Sequence, residues 1–246
     1  MRKFGLIGYP LSHSFSQKYF TDKFEAEGVD AEYCNFQIES LEQLNDILRT
    51  EPNLVGFNVT IPYKTAIIPL LDEVENCANS IQSVNTVCVS RNNNGWTLKG
   101  ANTDVIGFKE SIEPFVAGHS QSLILGTGGS AKAAFHILEG LGLECNSVSR
   151  RPDEGDFMYE ELTPDDIWEH SIIVNCTPLG MYPQIDAAPE IPYESITPEH
   201  VMFDMIYNPV ETVFLRNGRK RGAKTINGLK MLERQAEESW RIWNKE

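Results

Sequence analysis

Ser122-Leu123-Ile124-Leu125 runs directly into Gly126-Thr127-Gly128-Gly129-Ser130-Ala131-Lys132-Ala133-Ala134. A short apolar run meets a G-x-G-x-x-A turn, and the turn opens an alanine-rich segment suited to a helix. In that setting each small residue has a physical task. Gly126 permits a tight turn, Gly128 lets the backbone approach a pyrophosphate, and Ala131 allows close packing of helix on strand. Thr127, Gly129 and Ser130 complete the loop, and the N–H groups at the start of the helix, with its dipole, favour an anion. A P-loop is excluded, because position 131 is Ala and Ala133 stands where Ser or Thr would hold magnesium. The alternative is a glycine-rich turn that serves packing alone. The strand–loop–helix order predicts a dinucleotide site.

The next strand bears on which dinucleotide. It ends Ser147-Val148-Ser149-Arg150-Arg151, where an NAD site usually carries Asp or Glu for the ribose 2′-hydroxyl. A small hydroxyl and two guanidiniums suit a 2′-phosphate through charge-assisted contacts. This favours NADP. Two other readings stay open: the arginines end a strand in solvent, and nearby Asp153 leaves room for NAD.

Outward from the loop, short apolar runs alternate with amphipathic segments. Strands are expected over 3–8, 31–37, 54–59, 84–90, 96–101, 121–125, 143–149, 171–175, 200–204 and 224–226. Helices are expected from Phe15, Tyr19, Phe20 and Phe24 at helical spacing, and over 41–49, 103–116, 130–141, 211–221 and 229–243, with Pro62 opening another. Asn92-Asn93-Asn94-Gly95 marks a hairpin. Such alternation predicts an α/β fold with mainly parallel sheets.

The 246 residues carry 21 Lys and Arg against 35 Asp and Glu, a net charge of −14. With 41% hydrophobic and 23% charged residues, disorder, collagen-like repeats and a disulfide miniprotein are excluded. Between 152 and 215 stand 14 acidic residues and no Lys or Arg, so the rest of the chain is neutral. The acidic block reads as a solvated surface. Arg216, Arg219, Lys220, Arg221 and Lys224 read as the exposed side and end of a helix, so no nucleic-acid partner is expected. Neither a membrane span nor a secretory segment is recognisable, and a soluble cytoplasmic protein is expected. Five cysteines without C-x-x-C and five histidines without ligand spacing predict reduced thiols and no metal.

Two polar clusters precede the glycine loop. Tyr9-Pro10-Leu11-Ser12-His13-Ser14-Phe15-Ser16 is rich in hydroxyls and free of acids, as a carboxylate-binding loop would be. Equally, Ser14 or Ser16 could simply cap a helix. Asn58-Val59-Thr60-Ile61-Pro62-Tyr63-Lys64 follows a strand and puts Asn58, Thr60 and Lys64 near its carboxyl end, where open α/β sheets bind ligands. Asn85-Thr86 and Asn102-Thr103-Asp104 come later. A lone lysine is usually a solvated charge and a lone aspartate an N-cap. Beside a nicotinamide they could form a proton-transfer pair for an alcohol and its ketone.

In order and over nearly the whole length, these segments resemble the shikimate dehydrogenase family. Ser83-Val84-Asn85-Thr86, Asn175-Cys176-Thr177-Pro178-Leu179-Gly180-Met181, Phe203-Asp204-Met205-Ile206-Tyr207-Asn208-Pro209 and Gly228-Leu229-Lys230-Met231-Leu232-Glu233-Arg234-Gln235-Ala236 extend the match. The resemblance implies a two-domain α/β enzyme that interconverts shikimate and 3-dehydroshikimate with NADP, in the pathway to aromatic amino acids. Residues 1–101 with 228–246 would form the substrate domain, and 102–227 a Rossmann-like NADP domain. Ser14, Ser16, Thr60, Asn85, Tyr207 and Gln235 would bind substrate, and Lys64 with Asp104 would handle the proton. Gly126 to Ala131 would hold the pyrophosphate, Ser149, Arg150 and Arg151 the adenosine phosphate, and Thr177, Met205 and Gly228 the nicotinamide side. A monomer or homodimer is expected.

Some positions depart from the family pattern. Gln17 and Phe20 replace a usual Pro and Asn, Val105 a usual Gly, and Lys230 a typical Gly near the nicotinamide. They bear on substrate breadth and oligomeric contacts. Two neighbouring readings remain: a quinate/shikimate dehydrogenase accepting NAD, and a catalytically silent ligand-binding relative. Retention of Lys64 and Asp104 speaks against the second.

Overall fold

The computed structural model describes residues 1–11, 15–93 and 95–245. The chain divides into two units, Met1–Thr103 with Ala236–Glu246, and Asp104–Gln235. In the first, the elements run β1 (Arg2–Gly8), α1 (Phe15–Glu27), β2 (Ala31–Gln37), α2 (Leu44–Thr50), β3 (Leu54–Val59), β4 (Glu73–Val74), α3 (Asn76–Ser80), β5 (Thr86–Asn92) and β6 (Gly95–Ala101). They form one six-stranded sheet in the order β2-β1-β3-β5-β6-β4. β2, β1 and β3 are parallel, whereas β5 runs antiparallel to β3 and pairs with β6 as a hairpin. A connection as short as Asn92 to Gly95 can join only antiparallel strands.

Both faces of this sheet are covered. Ile7, Leu48, Phe57, Ile67, Val84 and Val87 form one buried cluster, and Phe4, Phe20, Phe24, Tyr33, Ala236 and Trp243 another. Gly56 is required here by close approach: a β-carbon on it would lie 2.4 Å from the Trp243 indole, whose Nε1 donates to Val87 O at 3.0 Å.

Pro62 does not open a helix. Residues 61–67 form consecutive turns, followed by a short 3₁₀ segment at Ile68–Leu70. Tyr63 and Ile67 are buried, the Tyr63 hydroxyl donates to Ile38 O at 2.8 Å, and Val84 N donates to Lys64 O at 2.8 Å. These ties draw the segment down onto the sheet. The helix expected over 41–49 begins as a 3₁₀ turn, Leu41–Gln43, with Ser40 and Gln43 forming a capping box.

The second unit runs α4 (Asp104–Ile112), β7 (Gln121–Leu125), α5 (Gly129–Gly140), β8 (Glu144–Ser149), β9 (Phe157–Met158), α6 (Pro164–Glu169), β10 (Ile172–Asn175), β11 (Val201–Asp204), α7 (Val213–Lys220) and β12 (Lys224–Ile226). α8 (Leu229–Trp243) starts in this unit, and its residues from Ala236 belong to the first. The sheet order is β12-β11-β10-β7-β8-β9, with every pair parallel. Counted from β7, that is the doubly wound order 3-2-1-4-5-6, whose direction reverses between β7 and β10. Leu123, Leu125, Val148, Ile173, Met202 and Phe214 share its buried core, and β10 and β11 are buried along their whole length. Strands covered on both faces read as unbroken apolar runs, as these do.

The segments that the periodicity did not announce are short. β4 and β9 have two residues each, and α6 buries Ile167 alone among its six. Its start is nonetheless well capped, with Asp166 N donating to Thr163 Oγ1 and Thr163 N to Asp166 Oδ2. No helix among the described residues is long and apolar enough to cross a membrane.

Candidate active site

In the first unit, the polar residues gather at the carboxyl ends of β1 and β3. Thr60 follows β3 and donates its N–H to Ile7 O at 2.9 Å, which joins the loops after both strands. Lys64 is half-buried on the turn pinned by Tyr63 and Val84. Asn85 lies beside them, because its carbonyl accepts from Val59 N at 2.8 Å. Ser16 is half-buried in the first turn of α1 and hydrogen-bonds Tyr33, whose phenol is pushed up by burial. Its place inside the helix excludes it as the cap. Ser14, with Ser12 and His13, lies outside the described residues.

Beneath this surface is a buried hydrogen-bond network that the sequence reading did not identify. The Tyr33 hydroxyl donates to Asn58 Oδ1 at 2.8 Å, and Asn58 Nδ2 donates to Ser239 Oγ at 2.9 Å and Thr86 Oγ1 at 3.1 Å. Asn85 Oδ1 accepts from Thr103 N at 2.8 Å and from the hydroxyls of Thr103 and Thr86. Asn85 is itself buried with its oxygen committed to these donors, and its amide nitrogen is a donor suited to a hydroxyl or carboxylate. The one local signal was Asn58 between apolar Phe57 and Val59; its partners lie far along the chain and carry none.

In the second unit, the glycine loop stands at the switch point. Gly126 has φ +105°, a conformation that favours glycine, and its N–H donates to Val148 O at 2.8 Å. Gly128 is the N-cap of α5, no side chain caps that terminus, and a β-carbon on Gly128 would meet open space. The first-turn N–H groups therefore face outward, as an approaching pyrophosphate requires. Ala131, Ala133 and Ala134 are buried against the sheet.

Ser149 ends β8, buried, and its Oγ accepts from Arg151 N at 3.0 Å. Arg150 and Arg151 are exposed beyond it. Glu154 also stands here: it takes Arg151 Nη1 at 2.5 Å and Thr127 Oγ1 at 3.5 Å. The sequence reading took this acid only as a repulsive charge downstream of the arginines, not as a partner of Arg151 and Thr127. Asp156 returns to β8 itself, its Oδ2 accepting from Ser147 N at 2.7 Å.

Across the switch point, Thr177 lies against Gly126, its methyl 3.3 Å from where a β-carbon would be. Thr177 N and Oγ1 both donate to Asn175 Oδ1, at 3.0 and 2.7 Å. Met205 N donates to Asn175 O at 3.0 Å, and Gly228 sits so close to Met205 that a β-carbon would be 2.2 Å from its carbonyl oxygen. Thr177, Met205 and Gly228 thus form one group at the carboxyl ends of β10 and β11. Asp104 is buried as the first residue of α4, Tyr207 is half-buried after β11, and Gln235 is buried on α8 with Nε2 donating to Leu232 O at 3.0 Å. The Lys230 ammonium donates to Glu110 O on α4 at 2.9 Å.

Known proteins align with the chain almost end to end. The family model of the shikimate dehydrogenase substrate binding domain matches residues 6–87. A shikimate dehydrogenase (NADP(+)) of Methanococcus maripaludis is 38% identical, across 97% of this chain and 90% of the relative. The crystal structure of shikimate dehydrogenase from Aquifex aeolicus superposes with TM-score 0.86 at 31% identity, covering 99% of this chain and 92% of that one. A Thermus thermophilus shikimate 5-dehydrogenase in complex with NADP(H) and shikimate gives TM-score 0.86 at 29% identity, over 99% and 94%.

Proposed function

The chain belongs to the shikimate dehydrogenase family, and on that premise we propose that it interconverts 3-dehydroshikimate and shikimate with NADP. The observation that carries the reading is the uncapped start of α5 at the switch point of a doubly wound sheet, with two arginines at the tip of the neighbouring strand. The residues fit the cofactor: glycine N–H groups for a pyrophosphate, and two guanidiniums just beyond β8 for a 2′-phosphate. The Thermus thermophilus relative, with both NADP(H) and shikimate, supports the pairing.

Reducing a ketone to a secondary alcohol adds a hydride equivalent to carbon and a proton to oxygen. The bound cofactor supplies the hydride equivalent. Lys64 and Asp104 serve as the proton-transfer pair, giving the proton to the oxygen in reduction and taking it back in oxidation. Ser14, Ser16, Thr60, Asn85, Tyr207 and Gln235 bind the carboxylate and hydroxyls of the substrate through neutral hydrogen-bonding groups. Residues 1–101 with 228–246 form the substrate part and 102–227 the cofactor part. We place the protein in the cytoplasm as a monomer or homodimer that does not bind nucleic acid.

The test is a spectrophotometric assay of shikimate and quinate, each with NADP and NAD. Shikimate with NADP should give the highest kcat/KM. A preference for quinate with NAD would reassign the enzyme, and no turnover with any pair would make the chain a ligand-binding relative.

A further inference from the structure

Asp204 ends β11 with no exposed surface, and among the described residues it forms no ion pair. Its carboxylate is held by neutral donors alone: Thr212 Oγ1 at 2.5 Å on Oδ2, and Asn175 Nδ2 at 3.1 Å and Ile206 N at 3.0 Å on Oδ1. A buried carboxylate without a cation is costly, and well-packed apolar side chains at such sites are often as stabilising or more so. Packing alone does not account for it.

Its geometry does. A carboxylate only accepts, so it compels Asn175 to turn its amide nitrogen toward it. The Asn175 oxygen then faces the other way, where it takes both Thr177 N and Thr177 Oγ1. On the other side Ile206 N, held by the same Oδ1, shapes the turn that carries Met205. Thr212, held by Oδ2, is also the N-cap of α7 and accepts from Leu215 N at 3.3 Å. One buried group thus links three segments at the carboxyl ends of β10 and β11. A dinucleotide lying across the switch point, with its adenosine phosphate at the β8 tip, has its other half at these ends.

We propose that Asp204 is a positioning residue for the cofactor: its carboxylate, acting through Asn175, Ile206 and Thr212, sets the Thr177 and Met205 loops that receive the nicotinamide half. The inference rests on the NADP reading above. It predicts a split between two ligands, NADP and adenosine 2′,5′-bisphosphate, which is the adenosine half alone. Titration calorimetry on the full chain measures both, without turnover.

Asp204→Asn lets the Asn175 amide reverse, and Thr212→Val removes one anchor of the carboxylate. Each should weaken NADP about tenfold, the cost of about one net hydrogen bond, and leave adenosine 2′,5′-bisphosphate within about twofold. Thr212→Ser keeps the hydroxyl and should restore NADP affinity. Equal losses for both ligands, or no loss for either, would overturn the proposal. If Asp204→Asn does not fold, the Thr212 pair decides the matter. A wild-type chain that binds neither ligand would instead sink the NADP reading itself.

Discussion

At the scale of single residues, Lys64 and Asp204 are opposite uses of charge. Lys64, proposed for proton transfer, stands half-buried on a turn whose backbone is fixed by Tyr63 and Val84. Lys64→Ala should lower kcat by ~10²–10⁴ with a smaller effect on KM, as loss of general acid–base help does. Steady-state kinetics with saturating cofactor checks it, and a near-normal kcat would remove Lys64 from the chemistry. Asp204, by contrast, is deeply buried, and burial pushes its carboxyl up to about 6 despite its three donors. As pH rises from about 4, the unfolded chain ionises this group while the folded chain keeps it protonated until about 6. The folded state then holds more protons than the unfolded state, so stability falls across that interval and levels off above it, by about 3 kcal/mol. Cys176 and Tyr193 face the same carboxyl, but burial pushes both upward, away from the interval. Melting temperatures of wild type and Asp204→Asn between about pH 4 and pH 7 should therefore diverge in slope. Parallel curves would refute the assignment.

At the scale of elements, the cofactor choice proposed above rests on the tip of β8. Arg150 and Arg151 are exposed there, and Glu154 holds Arg151 while also reaching Thr127 of the glycine loop. A 2′-phosphate must therefore draw Arg151 away from an ion pair between exposed groups, a pair of small net worth. Replacing both arginines with Ala should weaken NADP by several kcal/mol, at about 1.5–3 kcal/mol for each charge-assisted contact, and change NAD little. Raised salt should weaken NADP more than NAD, because the added attraction is electrostatic and exposed. Dissociation constants for both cofactors decide it; equal losses would mean that the arginines serve the fold. The loop expected between β7 and α5 was legible because its glycines act locally. The contacts of Glu154 were not, because its partners lie on two different turns.

For the molecule as a whole, the chain's end completes its beginning. Trp243 of α8 packs on Phe4 with ring centroids 4.9 Å apart, covers Gly56, and donates to Val87 O. Ser239, about one turn earlier on the helix, joins Asn58 and Thr86 in the buried network. One of the first unit's two buried clusters is therefore incomplete until the last helix is in place. Trp243→Ala should cost about 3–5 kcal/mol of that unit's stability, as large-to-small changes at buried aromatics do. Urea denaturation followed by near-ultraviolet dichroism measures it, and an unchanged midpoint would show that the indole contributes nothing. Adenosine 2′,5′-bisphosphate affinity, measured well below the transition, should survive, because the residues proposed for it belong to the second unit.

The sequence by itself determined what depends on neighbours along the chain. β2, β3, β7, β12 and α8 lie where their apolar patterns put them, since strand and helix periods act over a few residues. The glycine turn was readable because it needs a strand just before and a helix just after. The family was legible because its motifs occur in one order, residue by residue. The tertiary structure alone decided what depends on distant partners. Pro62 could open a helix by local rules, but Tyr63 and Ile67 bury themselves on the sheet and hold the segment in turns. The two-residue strands β4 and β9 exist because longer strands beside them offer hydrogen bonds. The carboxylate of Asp204 carries no sign in the sequence that it will be buried, bonded to Asn175 across 29 positions, and, among the described residues, unpaired by a cation. A charge's environment is set by everything packed around it, and that is known only once the chain has folded.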